Sequence, residues 1–390
     1  MKNDNNNLEL TILMPCLNEA ETVGICIEKA LKSLKENSIN GEVLIADNGS
    51  TDGSQDIAKK LGARVIDVPL KGYGSALIEG TKAALGKYCI MGDSDDSYDF
   101  SNIMPFVEKL REGYDLVMGN RFKGGIEKGA MPWSHKYIGT PAISFLGRLF
   151  YGSKIGDFNC GMRGYNRKSI LDLDLKCTGM EYASEMIVQS CLNDLKIAEI
   201  PTILKKDGRT RKPHLKTVSD GWRHLKFLLM YSPQWLFLIP GIILIFLGLA
   251  GNTFMFFRKI TVGAATLGVH SRLYLGAMIV IGLQMIIFAM FAKLYAINSG
   301  MNPRNDKFAK FVEKLSLEKI LLLGVILTII GIALTIYVII IWKIKGFGRL
   351  NPDGIMPITI PAVYLIIIGV QMAFASFILG ILNIEYKRKV

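Results

Sequence analysis

Closely paired cysteines are missing from this chain of 390 residues. None of its six cysteines has Cys-x-x-Cys spacing, and all lie in apolar stretches: Cys16, Cys26, Cys89, Cys160, Cys177 and Cys191. This spacing excludes the common redox and zinc motifs and gives no sign of a disulfide framework. We therefore expect six reduced, buried thiols, as in a cytosolic domain.

A secretory signal peptide is also missing. The first seven residues are polar, and the apolar run over residues 8–17 is interrupted by Pro15. A signal peptide would need a basic start followed by an unbroken apolar segment. We expect the N-terminal half to stay on the cytosolic face of the membrane, where the Asn48-Gly49-Ser50 glycosylation sequence would not be used.

The N-terminal half has no basic stripe interleaved with aromatic residues, although the formal net charge of the chain is +12 at pH 7. Its lysine and arginine clusters instead adjoin long apolar segments. Anionic lipid headgroups explain such clusters better than nucleic acid does. The charge pattern therefore predicts a lipid bilayer as a partner and argues against nucleic acid.

Charged residues are almost absent from four long segments after Ser232, at residues 235–257, 273–292, 320–342 and 357–384. Each segment can cross a hydrocarbon core of about 30 Å as a helix. Four crossings return the C-terminus to the side of the N-terminal half, and the basic residues of the tail and of the second loop agree with a cytosolic position for both. We predict a multi-pass integral membrane protein. Its domains are a cytosolic domain at 1–212, an amphipathic juxtamembrane segment at 213–232 and a four-helix transmembrane domain at 233–390.

Three short apolar runs of the N-terminal half each end in a polar, acid-bearing loop. Residues 8–16 run into Asn18 and Glu19, residues 42–46 into Asp47, and residues 87–91 into Asp93 and Asp95. Helical patterns follow the first two runs, at residues 21–34 and 52–61. This is a βαβ series, and the carboxyl ends of its parallel strands gather the acids at one edge of the sheet. We predict an α/β domain with a mostly parallel sheet.

These segments resemble the family 2 glycosyltransferases, whose motifs Pro-x-x-Asn-Glu, Asp-x-Gly-Ser-x-Asp and Asp-x-Asp occur here in that order. They begin at Pro15, Asp47 and Asp93, and the resemblance covers roughly the first half of the chain. It implies a GT-A-like nucleotide-sugar domain. The nucleotide-sugar-binding residues that we predict are Pro15, Asn18, Glu19, Asp47, Gly72, Asp93 and Ser94.

Asp93 and Asp95 predict a metal site. A diphosphate cannot lie beside two carboxylates unless a divalent cation neutralises the charge, and few hard oxygen ligands suit Mg²⁺ or Mn²⁺. We predict Asp93 and Asp95 as metal ligands, with the cation at Asp95 stabilising the leaving group. In the segment that follows the third strand, Glu181 and Glu185 lie four apart on a predicted helix and are candidates to bind the sugar.

Basic residues before the first apolar segment predict the acceptor. Arg209 and Arg211 precede Pro213 and an amphipathic pattern at residues 220–229, as in a helix at the headgroup plane. With Arg121 at a strand end, they could hold a phosphate. This combination resembles the polyprenyl-phosphate glycosyltransferases, the dolichol-phosphate mannose or glucose synthase group. The resemblance implies inverting transfer of one hexose, with Asp95, Arg121, Arg209 and Arg211 as catalytic residues.

Several alternatives stay open at this point. We expect UDP-glucose or GDP-mannose as the nucleotide sugar, ahead of N-acetylhexosamine donors. The lipid is undecaprenyl or dolichyl phosphate, and a homo-oligomer can form. Asp96 and Asp99 could act as bases if the acceptor were a hydroxyl. The first motif has Cys16-Leu17 where many relatives of the resembled family have a tyrosine. After Asp-x-Asp, Ser97 stands where some of these relatives have a glutamine.

Rival functions are a processive polysaccharide synthase and a non-catalytic translocator or scaffold. The synthase signature Gln-x-x-Arg-Trp is not matched at residues 219–223. A dinucleotide-binding oxidoreductase is also disfavoured, because Leu77 stands where its fingerprint needs a third glycine.

Overall fold

The chain divides into two compact units, Met1–Leu228 and Leu229–Val390. The computed structural model describes residues 8–210, 217–257, 260–262, 265–301, 307–313 and 316–388. The dividing point lies within the segment that the sequence predicts to be juxtamembrane.

A seven-stranded sheet forms the centre of the first unit. Its strands are β1 Leu10–Cys16, β2 Gly41–Asp47, β3 Arg64–Asp67, β4 Tyr88–Met91, β5 Leu116–Asn120, β6 Arg163–Asn166 and β7 Ile197–Pro201. Their order is β3-β2-β1-β4-β6-β5-β7. Every pairing is parallel except the two made by β6. The prediction of an α/β domain with a mostly parallel sheet is confirmed.

Helices connect the strands of this unit. They are α1 Val23–Glu36, α2 Ser54–Lys60, α3 Tyr73–Ala83, α4 Met104–Arg111, α5 Arg121–Gly124, α6 Thr140–Tyr151, α7 Arg167–Asp172, α8 Tyr182–Leu192 and α9 Thr217–Met230, with a π-helical turn at His135–Gly139. In α1 the buried residues include Val23, Ile27 and Leu34, spaced at helical intervals. These buried residues pack on one face of the sheet. The acid-bearing loops follow the strand ends and therefore lie at the edge of the sheet.

Strand β6 begins within the glycine-containing segment of residues 157–165, which has no apolar run typical of a strand. The last three residues of this segment belong to β6, which pairs antiparallel with both β4 and β5. Arg163 and Tyr165 are fully buried there. The short strand alternates polar and small residues, so its sequence lacks the apolar run that marks the other strands.

Helix α6 carries apolar residues on two faces. One face buries Ile143 and packs Gly147 against Phe158. On the outer side, Phe145 and Leu149 are exposed, and Trp133, Tyr137 and Ile138 continue that apolar stripe through the preceding turn. A helix on the surface of a soluble domain would carry polar residues on its outer face.

The second unit contains four helices long and apolar enough to cross a membrane, over Gln234–Met255, Val269–Asn298, Leu317–Ile344 and Pro352–Asn383. Its elements are a π-helical turn Gln234–Leu238, α10 Ile239–Phe257, β8 Ile260–Val262, β9 Ala265–Leu267, α11 Val269–Asn298, α12 Lys307–Glu313, α13 Leu317–Ile344 and α14 Pro352–Arg388. All four predicted segments are confirmed as long apolar helices among the described residues. The antiparallel pair β8–β9 is an exception to the predicted all-α architecture, and β-branched residues such as Ile260 and Val262 favour it.

Candidate active site

Three parallel strands bring their acid-bearing loops together at one edge of the sheet. Strand β1 lies between β2 and β4, and Cys16 at its end is in register with Asp47. The loops after β1 and β4 are joined by hydrogen bonds, with the Ser94 hydroxyl donating to the Pro15 carbonyl at 2.8 Å and Thr22 Oγ1 to the Ser94 carbonyl at 2.7 Å. Pro15, Ser94 and Asp47 therefore border the same cleft.

Asp47 closes the turn that follows β2. Its Oδ2 accepts hydrogen bonds from the backbone N–H groups of Gly49 and Ser50 and from the Gln55 side chain. Burial alone would raise the pKa of Asp47, but these hydrogen bonds lower it below its ordinary value. The other oxygen, Oδ1, is buried and has no hydrogen-bond partner among the described residues. Asp47 thus offers one charged acceptor to a ligand.

Asn48 holds the second wall of the cleft, a role that the sequence did not suggest. Its side-chain amide donates to the carbonyls of Val68 and Leu70, and its Oδ1 accepts from the N–H of Gly72. Gly72 has a φ of 136°, and a Cβ there would meet the Thr178 carbonyl oxygen. The glycine is required by this close approach, which seats the start of α3 at the cleft.

Asn18 links the loops after β1 and β2. Its Oδ1 accepts a hydrogen bond from the N–H of Thr51 at 2.7 Å, and its own N–H donates to Ser50 Oγ. Glu19 is 7% exposed, and its N–H donates to Ser54 Oγ at 2.9 Å. These bonds direct the Glu19 carboxylate toward the loop after β4.

Asp93 lies at the end of β4, where the Tyr73 hydroxyl donates to its Oδ1 at 3.1 Å. Burial, reinforced by the neighbouring charge of Asp95, raises the pKa of Asp93 to about 7. A positive charge added beside Asp93 would stabilise the ionised form of its carboxyl group. Tyr73, the first residue of α3, was not predicted as a site residue, since a single tyrosine in a helical pattern carries no distinguishing signal.

Asp95 lies at the centre of a cluster of charged side chains. Its Oδ1 accepts from the N–H and the hydroxyl of Ser97, and its Oδ2 pairs with Arg209 Nη2 at 2.6 Å. Arg209 also pairs with Glu19 Oε1 at 3.0 Å and with Asp207 Oδ2 at 3.2 Å. Glu19 and Asp95, which were predicted for the nucleotide sugar, are therefore in contact with Arg209, which was predicted for the acceptor.

The carboxylates around Asp95 fit a divalent cation with few protein ligands. Within the described part of the chain, no group of three or more His, Cys, Asp or Glu side chains is arranged to hold a metal by itself. Mg²⁺ commonly binds through one or two carboxylates and completes its shell with water and substrate phosphates. Asp95 is the residue that could hold such an ion, with Asp93 beside it.

Comparisons with known proteins agree with this geometry. The glycosyl transferase family 2 model matches residues 11–173, and the model of the family 2 C-terminal transmembrane region matches residues 290–383. The low-salt glycan biosynthesis hexosyltransferase Agl6 of Haloferax volcanii is 34% identical over 376 residues, covering 96% of this chain and 89% of that protein. The chain belongs to glycosyltransferase family 2.

Other proteins similar to this family 2 glycosyltransferase match about half of its chain. The dolichyl-phosphate hexose transferase of Haloferax volcanii is 28% identical over 194 residues, covering 50% of this chain and 81% of that protein. Among solved structures, glucosyl-3-phosphoglycerate synthase from Mycobacterium tuberculosis is similar, with 21% identity and a TM-score of 0.47 over 58% of this chain and 80% of that one. The chain is a glycosyltransferase and a membrane protein.

Arg121 of the glycosyltransferase is held in a buried ion pair. Its Nε and Nη2 donate to the two oxygens of Asp157 at 2.7 and 2.8 Å. Asp157 is fully buried, and sequence analysis did not select it. Arg121 lies at the predicted sheet edge, but its fork of donors is already engaged. Its contact with an acceptor phosphate stays a prediction.

The two predicted sugar-binding glutamates differ in their surroundings. The carboxylate of Glu185 is buried and accepts hydrogen bonds from the N–H groups of Lys176 and Cys177. Glu185 thus anchors the loop before α8. Glu181 is half-buried, and its Oε2 is shielded from solvent and has no hydrogen-bond partner within the part of the chain that the structure describes. Of the two, Glu181 has an oxygen available to a ligand.

The two alternative bases are both paired with lysines. Asp96 lies 2.6 Å from Lys29 Nζ, and Asp99 lies 2.8 Å from Lys205 Nζ. Against the effect of burial, the Lys205 ion pair and the N–H of Ser101 hold the pKa of Asp99 at about 2. A carboxylate of that pKa is a weak general base at neutral pH. Arg211, the remaining predicted catalytic residue, lies outside the described residues.

The cysteines of the glycosyltransferase contain no disulfide among the described residues. Four are buried as predicted, but Cys177 and Cys191 are only half-buried. Cys191 lies in the last turn of α8, and Cys177 lies in the loop before that helix. Burial raises the pKa of Cys191 to about 11, so even this thiol stays protonated at neutral pH.

Proposed function

We propose that this glycosyltransferase moves a single hexose from a nucleotide sugar to a polyprenyl phosphate at the cytosolic face of the membrane. The transfer depends on Mg²⁺ or Mn²⁺ and inverts the anomeric carbon. Support for the reaction class comes from the relatives, one named as a hexosyltransferase and another as a dolichyl-phosphate hexose transferase. The four long apolar helices support an acceptor that resides in the membrane.

On the donor side, the cleft offers the chemistry that a nucleotide sugar requires. The unpartnered Oδ1 of Asp47 is suited to accept a hydrogen bond from the base or the ribose. Asp95 would hold the divalent cation, which as a Lewis acid would neutralise charge on the departing diphosphate. Glu181 is the carboxylate that we assign to the sugar hydroxyls.

The observation that carries the choice of acceptor is the pairing of both alternative bases with lysines. Asp96 and Asp99 are neutralised by Lys29 and Lys205, so neither is poised to deprotonate a hydroxyl. A phosphomonoester has a second pKa near 6 and is largely dianionic at pH 7. It is already a nucleophile and needs a positioned counter-charge, which Arg209 can supply. Direct attack by one phosphate oxygen accounts for inversion.

The test is transfer by the purified protein in lipid, using a panel of radiolabelled UDP and GDP hexoses and a polyprenyl phosphate. We expect one donor to label the organic phase with an acid-labile product that carries a single sugar. EDTA should abolish the transfer, and Mg²⁺ or Mn²⁺ should restore it. The substitution Asp95→Asn should reduce the rate at least about 100-fold, as for loss of a main stabiliser of transition-state charge.

A matched control is Glu79→Gln, which removes a carboxylate from the exposed side of α3. It should retain full activity. A water-soluble polymer as the product would instead identify a processive synthase. Full activity of Asp95→Asn in the presence of EDTA would contradict the metal assignment.

A further inference from the structure

Arg209 occupies the position where a cation is needed at Asp95. Its guanidinium lies among the carboxylates of Asp95, Glu19 and Asp207, and its side chain is 13% exposed. Both hydrogen bonds from Ser97 go to Oδ1 of Asp95, and the arginine is bound to Oδ2. A metal ion that binds Oδ2 of Asp95 would therefore meet the positive charge of Arg209.

The segment that carries Arg209 is attached to the Asp95 loop by backbone hydrogen bonds. The N–H of Gly208 donates to the Asp95 carbonyl at 3.0 Å, and the N–H of Lys205 donates to the Ser97 carbonyl at 2.9 Å. Thr210 follows with two bonds to the carboxylate of Glu21. These bonds keep the segment in place while the Arg209 side chain, with its rotatable stem, can still change partners.

We propose that Arg209 is an internal stand-in for the metal ion. While the donor is absent, it neutralises Glu19 and Asp95. A divalent cation then displaces it from Asp95, and the released guanidinium becomes available to the acceptor phosphate. Binding of the metal and donor would thereby prepare the acceptor site, which imposes an order in which the donor binds first. The metal site at Asp95 and this last step both rest on the proposed function.

The displacement is tested by Mn²⁺ binding to the full-length protein in detergent, without nucleotide or lipid acceptor. The electron paramagnetic resonance signal of free Mn²⁺ gives the Kd. We expect Arg209→Ala to bind Mn²⁺ at least about 5-fold more tightly than the wild type, the lower end of usual coupling between two ligands. Unchanged or weaker binding would overturn the proposal, because it would mean that Arg209 assists the metal site.

Two variants separate competition from other effects of the substitution. Arg111→Ala removes a cation that pairs with Glu9 on the surface, and it should leave the Mn²⁺ affinity unchanged. Arg209→Lys keeps the charge and should bind Mn²⁺ more weakly than Arg209→Ala. Equal affinities of these two Arg209 variants would overturn the charge argument. Thermal unfolding shows that each variant is folded before its affinity is measured.

A second readout follows the arginine itself. Mn²⁺ should increase the modification of Arg209 by phenylglyoxal, measured by peptide mass spectrometry, because the displaced guanidinium leaves its carboxylates. Modification that is unchanged or reduced by Mn²⁺ would overturn the displacement. Both measurements are independent of sugar transfer. Failure of the transfer assay with a positive Mn²⁺ result would therefore count against the proposed function and leave the exchange intact.

Discussion

At the residue scale, the carboxylates of the candidate site fall into two groups. Glu185 and Asp157 are satisfied by the protein itself, one by backbone N–H groups and the other by Arg121. Asp47 and Glu181 each have one buried oxygen with no hydrogen-bond partner in the described ranges. A buried acceptor without a donor is costly unless a ligand supplies one. Substitutions at Asp47 and Glu181 should therefore weaken substrate binding, whereas substitutions at Glu185 and Asp157 should lower the stability of the fold.

Asp47→Asn tests the nucleotide pocket. The NH₂ group of asparagine would face the N–H or O–H group of the nucleotide from which Oδ1 is expected to accept a hydrogen bond. The apparent KM for the nucleotide sugar should therefore rise about 10-fold or more, with a smaller change in kcat. Steady-state kinetics at varied donor concentration measures both. Asp67→Asn is the control, since Asp67 is the exposed neighbour of Asp47 in register on β3. An unchanged KM would mean that the nucleotide binds elsewhere.

Glu185→Ala tests the structural role of the second glutamate. The change removes the carboxylate that accepts from the N–H groups of Lys176 and Cys177, and we expect a loss of about 1–3 kcal/mol in the free energy of unfolding. Thermal unfolding of the purified protein measures the loss, and Glu108→Ala on the exposed side of α4 is the control. A variant that is as stable as the wild type but binds the sugar poorly would instead support the prediction that Glu185 contacts the sugar.

At the element scale, α6 and the turn before it leave large apolar side chains uncovered within their own unit. Trp133, Tyr137 and Phe145 are 67%, 59% and 57% exposed. The sequence from residue 128 to 156 contains no acidic residue and carries Lys128, Lys136, Arg148 and Lys154 as its lysines and arginines. The Tyr151 hydroxyl donates to the Leu228 carbonyl at 2.6 Å, which joins α6 to the end of α9.

We expect the outer face of α6 to lie in the headgroup region of an anionic bilayer, because aromatic and basic residues are enriched at that interface. A nitroxide attached at Phe145→Cys in lipid nanodiscs should be more accessible to oxygen than to a water-soluble nickel complex. The same label at Glu79→Cys should show the reverse. Equal water exposure of the two labels, or close approach of two Phe145 labels, would contradict lipid contact.

At the scale of the whole molecule, an even number of spans should leave both termini on one side of the membrane. The cytosolic orientation is a prediction from loop charge. A membrane-impermeant maleimide should label Glu79→Cys only in inside-out vesicles. It should label Arg349→Cys, in the loop after α13, only in right-side-out vesicles. The opposite pattern for both would invert the orientation.

Much of the fold could be predicted from local patterns. Strands β1, β2 and β4, helices α1 and α2 and the four membrane segments follow from apolar period and length, which depend on neighbouring residues. Strand β6 could not be predicted, because its four residues are placed by pairing with two distant strands. Helix α6 was not predicted either, although its apolar residues have helical spacing.

The sequence by itself determined which residue types stand at the ends of the strands, and therefore the chemistry of the cleft. Only the tertiary structure decided which of them meet. Arg209 and Asp95 are 114 residues apart, and Arg121 and Asp157 are 36 apart, so no local pattern reports either pair. A side chain's charge is a property of its type, whereas its partner depends on how the chain returns to the same edge of the sheet.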